Sequence, residues 1–257
     1  MSAQGASRRV ERPLVVAEGL AVAYPGGPAV LEDVNLSLRR GERVGMIGPN
    51  GGGKTTLMRA LLGELRPAAG RLHIDGRCGV VPQTERSRLD YPVSALEVVL
   101  MGALAQLPWW RRPGRRERRA GMAALERVGL AERADDTFGE LSGGQRQRVL
   151  VARALVQDAD VVLLDEPFTG LDAPSSAGLS ALIDALAQEG RLVVISSHDV
   201  AQTLAWDVVL CVNRRQIAVG EPATTLTPAV LEATYGRALV RLPAADGAYA
   251  VVAHANG

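Results

Sequence analysis

Gly48-Pro49-Asn50-Gly51-Gly52-Gly53-Lys54-Thr55-Thr56 is the stretch on which the fold turns. It fits G-x-x-x-x-G-K-[ST], a loop whose glycines let backbone N–H groups turn inward around phosphate oxygens. Arg43–Ile47 before it reads as a short strand, and Lys54–Leu62 reads as a helix stopped near Gly63 and Pro67. Strand, glycine turn and helix in that order add the positive end of a helix dipole to the amides that face the phosphates. Gly48, Asn50, Gly51, Gly52, Gly53 and Thr56 are therefore candidate nucleotide contacts, with Lys54 reaching the β- and γ-phosphates and Thr55 ligating Mg²⁺. The lysine has independent support. Of 29 basic residues, 28 are arginine, and Lys54 is the sole lysine. A chain that uses arginine almost everywhere keeps an ammonium here, where a compact charge does what a planar guanidinium cannot.

The 257 residues allow one large domain or two small ones. Apolar residues make up 47% and charged residues 22%, a globular balance that excludes wholesale disorder. A formal net charge of +1 argues against nucleic-acid binding driven by counterion release, and 4% aromatics is too few for a base-stacking platform. Cys78 and Cys211 form no CxxC pair, which suits a reducing compartment without disulfides or a zinc site. The first residues, MSAQGASRRVERP, lack the apolar core of a signal peptide and are expected to be mobile over 1–12. The apolar run Val98–Ala105 ends at Glu97 and Gln106, so no membrane span is expected.

Patterning divides the chain. Strands are predicted over Leu14–Ala23, Val30–Leu38, Arg71–Ile74 and Cys78–Val81. From Ser94 to Gln157 helical periodicity takes over, in Ala95–Ala105, Arg115–Val128 and Gln145–Val156. Alternation then returns, with strands at Asp160–Leu164, Arg191–Ser196, Val208–Val212 and Gln216–Val219, and helices at Ser175–Gln188 and Val200–Ala205. This is an α/β core interrupted by an all-helical insert. Within the insert, Arg111–Arg119 holds six arginines just after Trp109-Trp110. The run reads as a solvated helix start, with a phosphate or partner contact as the sharper alternative.

A second acidic motif fits the loop. Val161–Leu164 is an unbroken apolar run, as expected of a parallel strand buried on both faces, and it ends in Asp165-Glu166. Acids at the carboxyl end of such a strand emerge where α/β sheets bind ligands. Asp165 is placed to hold Mg²⁺, and Glu166 to act as general base on the attacking water.

Leu141-Ser142-Gly143-Gly144-Gln145 precedes the helix over Gln145–Val156 and alone would be a helix cap with flexible glycines. Taken with the order Tyr24, phosphate loop, Gln83, LSGGQ, VVLLDE, Leu171-Asp172 and His198, the chain resembles the ATP-binding cassette (ABC) ATPases of membrane transporters over about residues 13–236. The resemblance implies a P-loop NTPase core with a mixed sheet flanked by helices, an antiparallel β subdomain, a helical subdomain at about 94–157, and a tail at 237–257. It implies that Tyr24 stacks on adenine, Gln83 touches Mg²⁺ or the water, and His198 senses the γ-phosphate. Ser142, Gly143, Gly144, Gln145 and Asp172 would meet the ATP held by a second copy, so that ATP fastens a homodimer.

The implied setting is the cytoplasmic face of a membrane, with separate permease subunits and an extracytoplasmic solute-binding protein. A soluble ABC ATPase acting on nucleic acid or ribosomes is the competing reading; its relatives usually carry two cassettes or a long coiled-coil insertion, and this chain has neither. Val81-Pro82-Gln83, Asp90-Tyr91-Pro92-Val93, Val98–Gly102, Trp110–Pro113, Ala124–Leu130 and Thr234-Tyr235-Gly236 resemble ATPases of zinc or manganese importers. The polar stretch Thr84–Leu89 and Pro174 depart from that pattern, and haem or a siderophore stands as the alternative cargo. Three scattered histidines offer no transition-metal cage in the ATPase itself.

Overall fold

A computed structural model describes residues 12–82, 92–104, 106–236, 239–241 and 249–251. Gln83 and the departure at Thr84–Leu89 lie outside the described residues, as do nearly all of 1–12 and most of the tail. The chain runs β1 (Val15–Ala23), β2 (Ala29–Leu38), β3 (Arg43–Ile47), α1 (Lys54–Leu61), β4 (Pro67–Ile74) and β5 (Cys78–Val81). The insert supplies α2 (Ala95–Leu104), α3 (Arg115–Arg127) and α4 (Gly143–Val156). Then follow β6 (Val161–Asp165), α5 (Ala173–Gln188), β7 (Leu192–Ser197), α6 (Val200–Thr203), β8 (Val208–Val212) and β9 (Gln216–Gly220). Two short helices, α7 (Pro222–Thr225) and α8 (Pro228–Tyr235), and the hairpin β10 (Leu239–Arg241) and β11 (Tyr249–Val251) complete it.

Two sheets organise these elements. The larger has the order β5-β6-β7-β3-β8-β9, parallel but for β9, and the smaller is antiparallel in the order β2-β1-β4. The apolar run of β6 behaves as its sequence demands. Val161 and Leu163 pack toward the small sheet and α1, Val162 and Leu164 toward the helical insert and α5, and all four are fully buried. The strand thus joins two cores, one on each face of the large sheet. A third, smaller cluster holds Ile47, Val209 and Cys211 against Leu231 and Tyr235 of α8.

Several boundaries differ from the sequence reading, each for a local reason. β4 begins at Pro67, four residues before the predicted Arg71, because Pro67 and Ala69 pair with Val22 and Ala21 of β1. Proline as first residue of a strand sacrifices no ladder donor. α4 starts at Gly143 rather than Gln145, with Ser142 as its cap. Pro174 falls in the first turn of α5 behind the capping Asp172, a position where its missing N–H is not needed. α7 and α8 were not foreseen, although Thr227-Pro228 is a start signal: Thr227 Oγ1 accepts the Val230 N–H at 3.3 Å.

The order of the strands positions the chemistry. β7 lies between β6 and β3, so Ser196 pairs with Asp165 on one side and Met46 on the other. The loop after β3, the acids at the end of β6 and the histidine after β7 consequently emerge together at the carboxyl edge of the sheet.

Candidate functional site

The glycine loop enters α1 through Gly53, whose φ of +103° belongs to glycine alone among common residues. Within this loop Lys54 is only 7% exposed, and its Nζ donates to the carbonyls of Gly48 at 2.6 Å and Pro49 at 3.2 Å. Burial pushes the ammonium pKa down, while the charges of Glu166 and Asp165 push it back up. The side chain is thereby held low in the loop and faces the two acids.

A cavity of about 500 Å³ opens over the loop and falls in the size range of small-ligand sites. Tyr24, Asn50, Gly51, Gly53, Lys54, Thr55, Thr56, Asp165 and Glu166 all line it. The sequence-predicted residues from three separate segments therefore meet in one place, while Gly48 and Gly52 shape the loop from behind. At its rim the Tyr24 hydroxyl lies 3.5 Å from Thr56 Oγ1, and the Arg59 guanidinium sits 5.8 Å from the Tyr24 ring centre. That cation–π contact fixes the ring and was not anticipated.

Beneath the acids lies a residue that the sequence reading missed. Ser196 is fully buried, donates its O–H to Asp165 Oδ1 at 2.7 Å, and accepts the Glu166 N–H at 2.9 Å. Glu166 needs the support: its φ is +47°, a left-handed conformation that side chains other than glycine, asparagine and aspartate seldom adopt. One hydroxyl thus orients one carboxylate and anchors the strained backbone of the next. Its only sequence signal is a polar pair, Ser196-Ser197, closing an apolar strand before His198.

His198 sits beside the cavity rather than in it. Its Nδ1 is 3.8 Å from Glu166 Oε2, across a small cleft of about 80 Å³ that Glu166 also lines. Ser197 Oγ accepts the Asp199 N–H at 3.0 Å, and Asp199 caps α6 through the Ala201 N–H at 2.8 Å. These bonds order the turn that carries the histidine.

Ser142–Gln145 and Asp172 form a second constellation away from the cavity lining. Ser142 Oγ accepts the Gln145 N–H at 3.3 Å while Gln145 Oε1 accepts the Ser142 N–H at 2.9 Å, a reciprocal cap. Asp172 Oδ1 accepts the Ser175 N–H at 3.1 Å, and a Cβ at Gly144 would lie 2.5 Å from Ser175 Oγ. The two predicted cross-dimer segments are thus in contact with each other within the chain.

The oxygen donors fit a small hard cation. Thr55 and Asp165 share the cavity with the loop that would hold phosphate, the donor chemistry Mg²⁺ prefers. Among the described residues no group of three or more His, Cys, Asp or Glu could hold a metal ion by itself. No described helix is long and apolar enough to cross a membrane.

Comparison with known proteins bears on this site directly. The profile of the ABC transporter family matches residues 31–169, which contain the loop, the LSGGQ segment and both acids. A zinc transport system ATP-binding protein of Treponema pallidum is 40% identical over 232 residues, covering 86% of each chain. A manganese transport system ATP-binding protein of Synechocystis is 37% identical over 230 residues, covering 85% of this chain and 88% of that one. Among solved structures, an inward-facing metal-chelate type ABC transporter superposes with a TM-score of 0.80 at 31% identity, covering 87% of this chain and 89% of that chain.

Proposed function

Because the chain belongs to the ABC transporter family and is one of its ATP-hydrolysing, nucleotide-binding subunits, we propose that it powers import of a divalent transition metal, zinc or manganese. The observation that carries the cargo is the similarity along most of the chain to zinc and manganese transport ATPases. A chelated iron transport protein of Yersinia pestis, 34% identical over 239 residues, keeps chelated cargo as the second reading.

In this reading the loop amides and Lys54 hold the phosphates and Tyr24 carries the adenine. Thr55 and Asp165, with Gln83, would hold Mg²⁺, which when bound would neutralise phosphate charge. Glu166 takes a proton from a water whose oxygen bonds to the γ-phosphorus as the β–γ bridging bond breaks, releasing ADP and phosphate. His198, 3.8 Å from Glu166, reports the γ-phosphate to the same carboxylate. Ser142–Gln145 and Asp172 complete the site of a second copy, so that two chains close on two ATP molecules. The helical insert docks on separate permease subunits at the cytoplasmic face of the membrane, and an extracytoplasmic binding protein delivers the metal.

Deleting the gene tests the cargo. Growth should slow only when the metal is scarce, and one metal, zinc or manganese, should restore it. Indifference to both, with failure on haem or a siderophore, would overturn the metal assignment and leave the ATPase intact.

A further inference from the structure

Between α2 and α3 the chain projects Pro108-Trp109-Trp110-Arg111. Trp109 is 92% exposed and Trp110 71%, and the two rings meet edge to face with centroids 5.7 Å apart. Adjacent indoles left this wet are costly in water, and the contact between them shields little of either face. Six arginines follow within Arg111–Arg119, against a single acid, Glu117. That acid is engaged locally: it caps the Gly114 N–H at 2.7 Å and lies 3.8 Å from Arg111. Arg112, Arg115, Arg118 and Arg119 are all exposed, with Arg118 near enough to Glu97 to act on its charge.

We propose that this tip is a membrane contact that binds anionic phospholipid headgroups. Its chemistry matches that layer: indoles carry apolar rings and a polar N–H, and settle where headgroups meet acyl chains. Guanidinium groups pair with phosphates in a bidentate fork, and clustered basic residues are drawn to anionic leaflets. The placement matches too. Pro108 and Arg111, which flank the tryptophans, also line a groove of about 570 Å³ that runs along α3 from Arg116 to Arg127 and is closed by the last residues of α2 and α4. A groove can receive a protruding permease segment, whereas the convex tip beside it cannot enclose one. This rests on the reading that the insert faces a permease: docking at the groove brings the tip to the bilayer beside it. Lipid contact would add to the permease contacts and set the tilt of the subunit against the membrane.

The test uses the full chain and vesicles that carry no other protein. Wild type should sediment with vesicles of phosphatidylcholine containing about one third phosphatidylglycerol at least tenfold more strongly than with phosphatidylcholine alone, and the preference should fade with added salt. Tryptophan emission should shift to the blue on binding; the third tryptophan, Trp206, is stacked on Phe168 and supplies a constant background. Trp109→Ala with Trp110→Ala should abolish the shift and weaken sedimentation about tenfold, with ATP turnover of the free chain unchanged. Replacing Arg112, Arg115, Arg118 and Arg119 by Gln should remove the preference for anionic lipid. Equal sedimentation with both vesicle types, or unchanged binding by the double tryptophan variant, overturns the proposal. A second set of vesicles, carrying purified permease, separates the sources: binding to that set alone makes the tip a protein contact and likewise overturns the proposal. Wild type that sediments with anionic vesicles but never associates with a permease would instead overturn the docking reading.

Discussion

Lys54 sits low in the loop, 7% exposed with its Nζ 2.6 Å from Gly48 O, a contact fitted to a compact ammonium rather than a planar guanidinium. Lys54→Arg should therefore be nearly as damaging as Lys54→Ala, with ATP binding and turnover lost in both; arginine activity near wild type would refute the steric argument. Ser196 makes a different prediction. Ser196→Ala leaves the Glu166 N–H and Asp165 Oδ1 without their shared partner, so stability should fall by about 1–3 kcal/mol and turnover about tenfold or more. Nucleotide binding without Mg²⁺ should hold, since Ser196 does not line the nucleotide cavity. Thermal melts and steady-state kinetics check both effects. Lys54, Asp165 and Glu166 were legible in the sequence because each sits inside a short, spaced motif. Ser196 was not, because its role arises from strand register: Asp165 pairs with Ser196 across 31 positions of sequence. Arg59 escaped for the same reason, since only folding lays its guanidinium over Tyr24.

At the scale of elements, the helical insert is joined to itself through small residues. A Cβ at Gly102 in α2 would stand 2.3 Å from the backbone oxygen of Arg153 in α4, so the two helices touch where no side chain fits. Gly102→Ala should force them apart and destabilise the protein by about 1–3 kcal/mol, read as a lowered melting temperature, with the nucleotide cavity unaltered. Most elements were visible beforehand. β6 announced itself as an apolar run and the insert by its helical period. The first half of β4 did not, because Pro67-Ala68-Ala69-Gly70 is exposed and has little intrinsic strand preference; its conformation comes from pairing with β1. α8 went unseen because Thr227-Pro228 is a weak signal without the cluster of Ile47, Val209 and Cys211 that it covers.

For the whole molecule, the cavity is lined by the glycine loop, Tyr24, Val30 and the two acids, and Ser142–Gln145 takes no part in that lining. Glu166→Gln should retain ATP binding, lose hydrolysis and accumulate as ATP-bound dimers, whereas wild type without a permease should stay mostly monomeric. Light scattering at saturating ATP and Mg²⁺ decides; a variant that stays monomeric would count against two chains sharing the nucleotide. The same division of the site sets a kinetic order. If half of each reaction centre arrives on another molecule, turnover per molecule cannot be constant: dilution should depress specific activity, and the rate in dilute solution should climb with the square of protein concentration. Holding two copies side by side on a permease would erase that dependence, so a curve that straightens on reconstitution would measure how far the membrane substitutes for chance encounter.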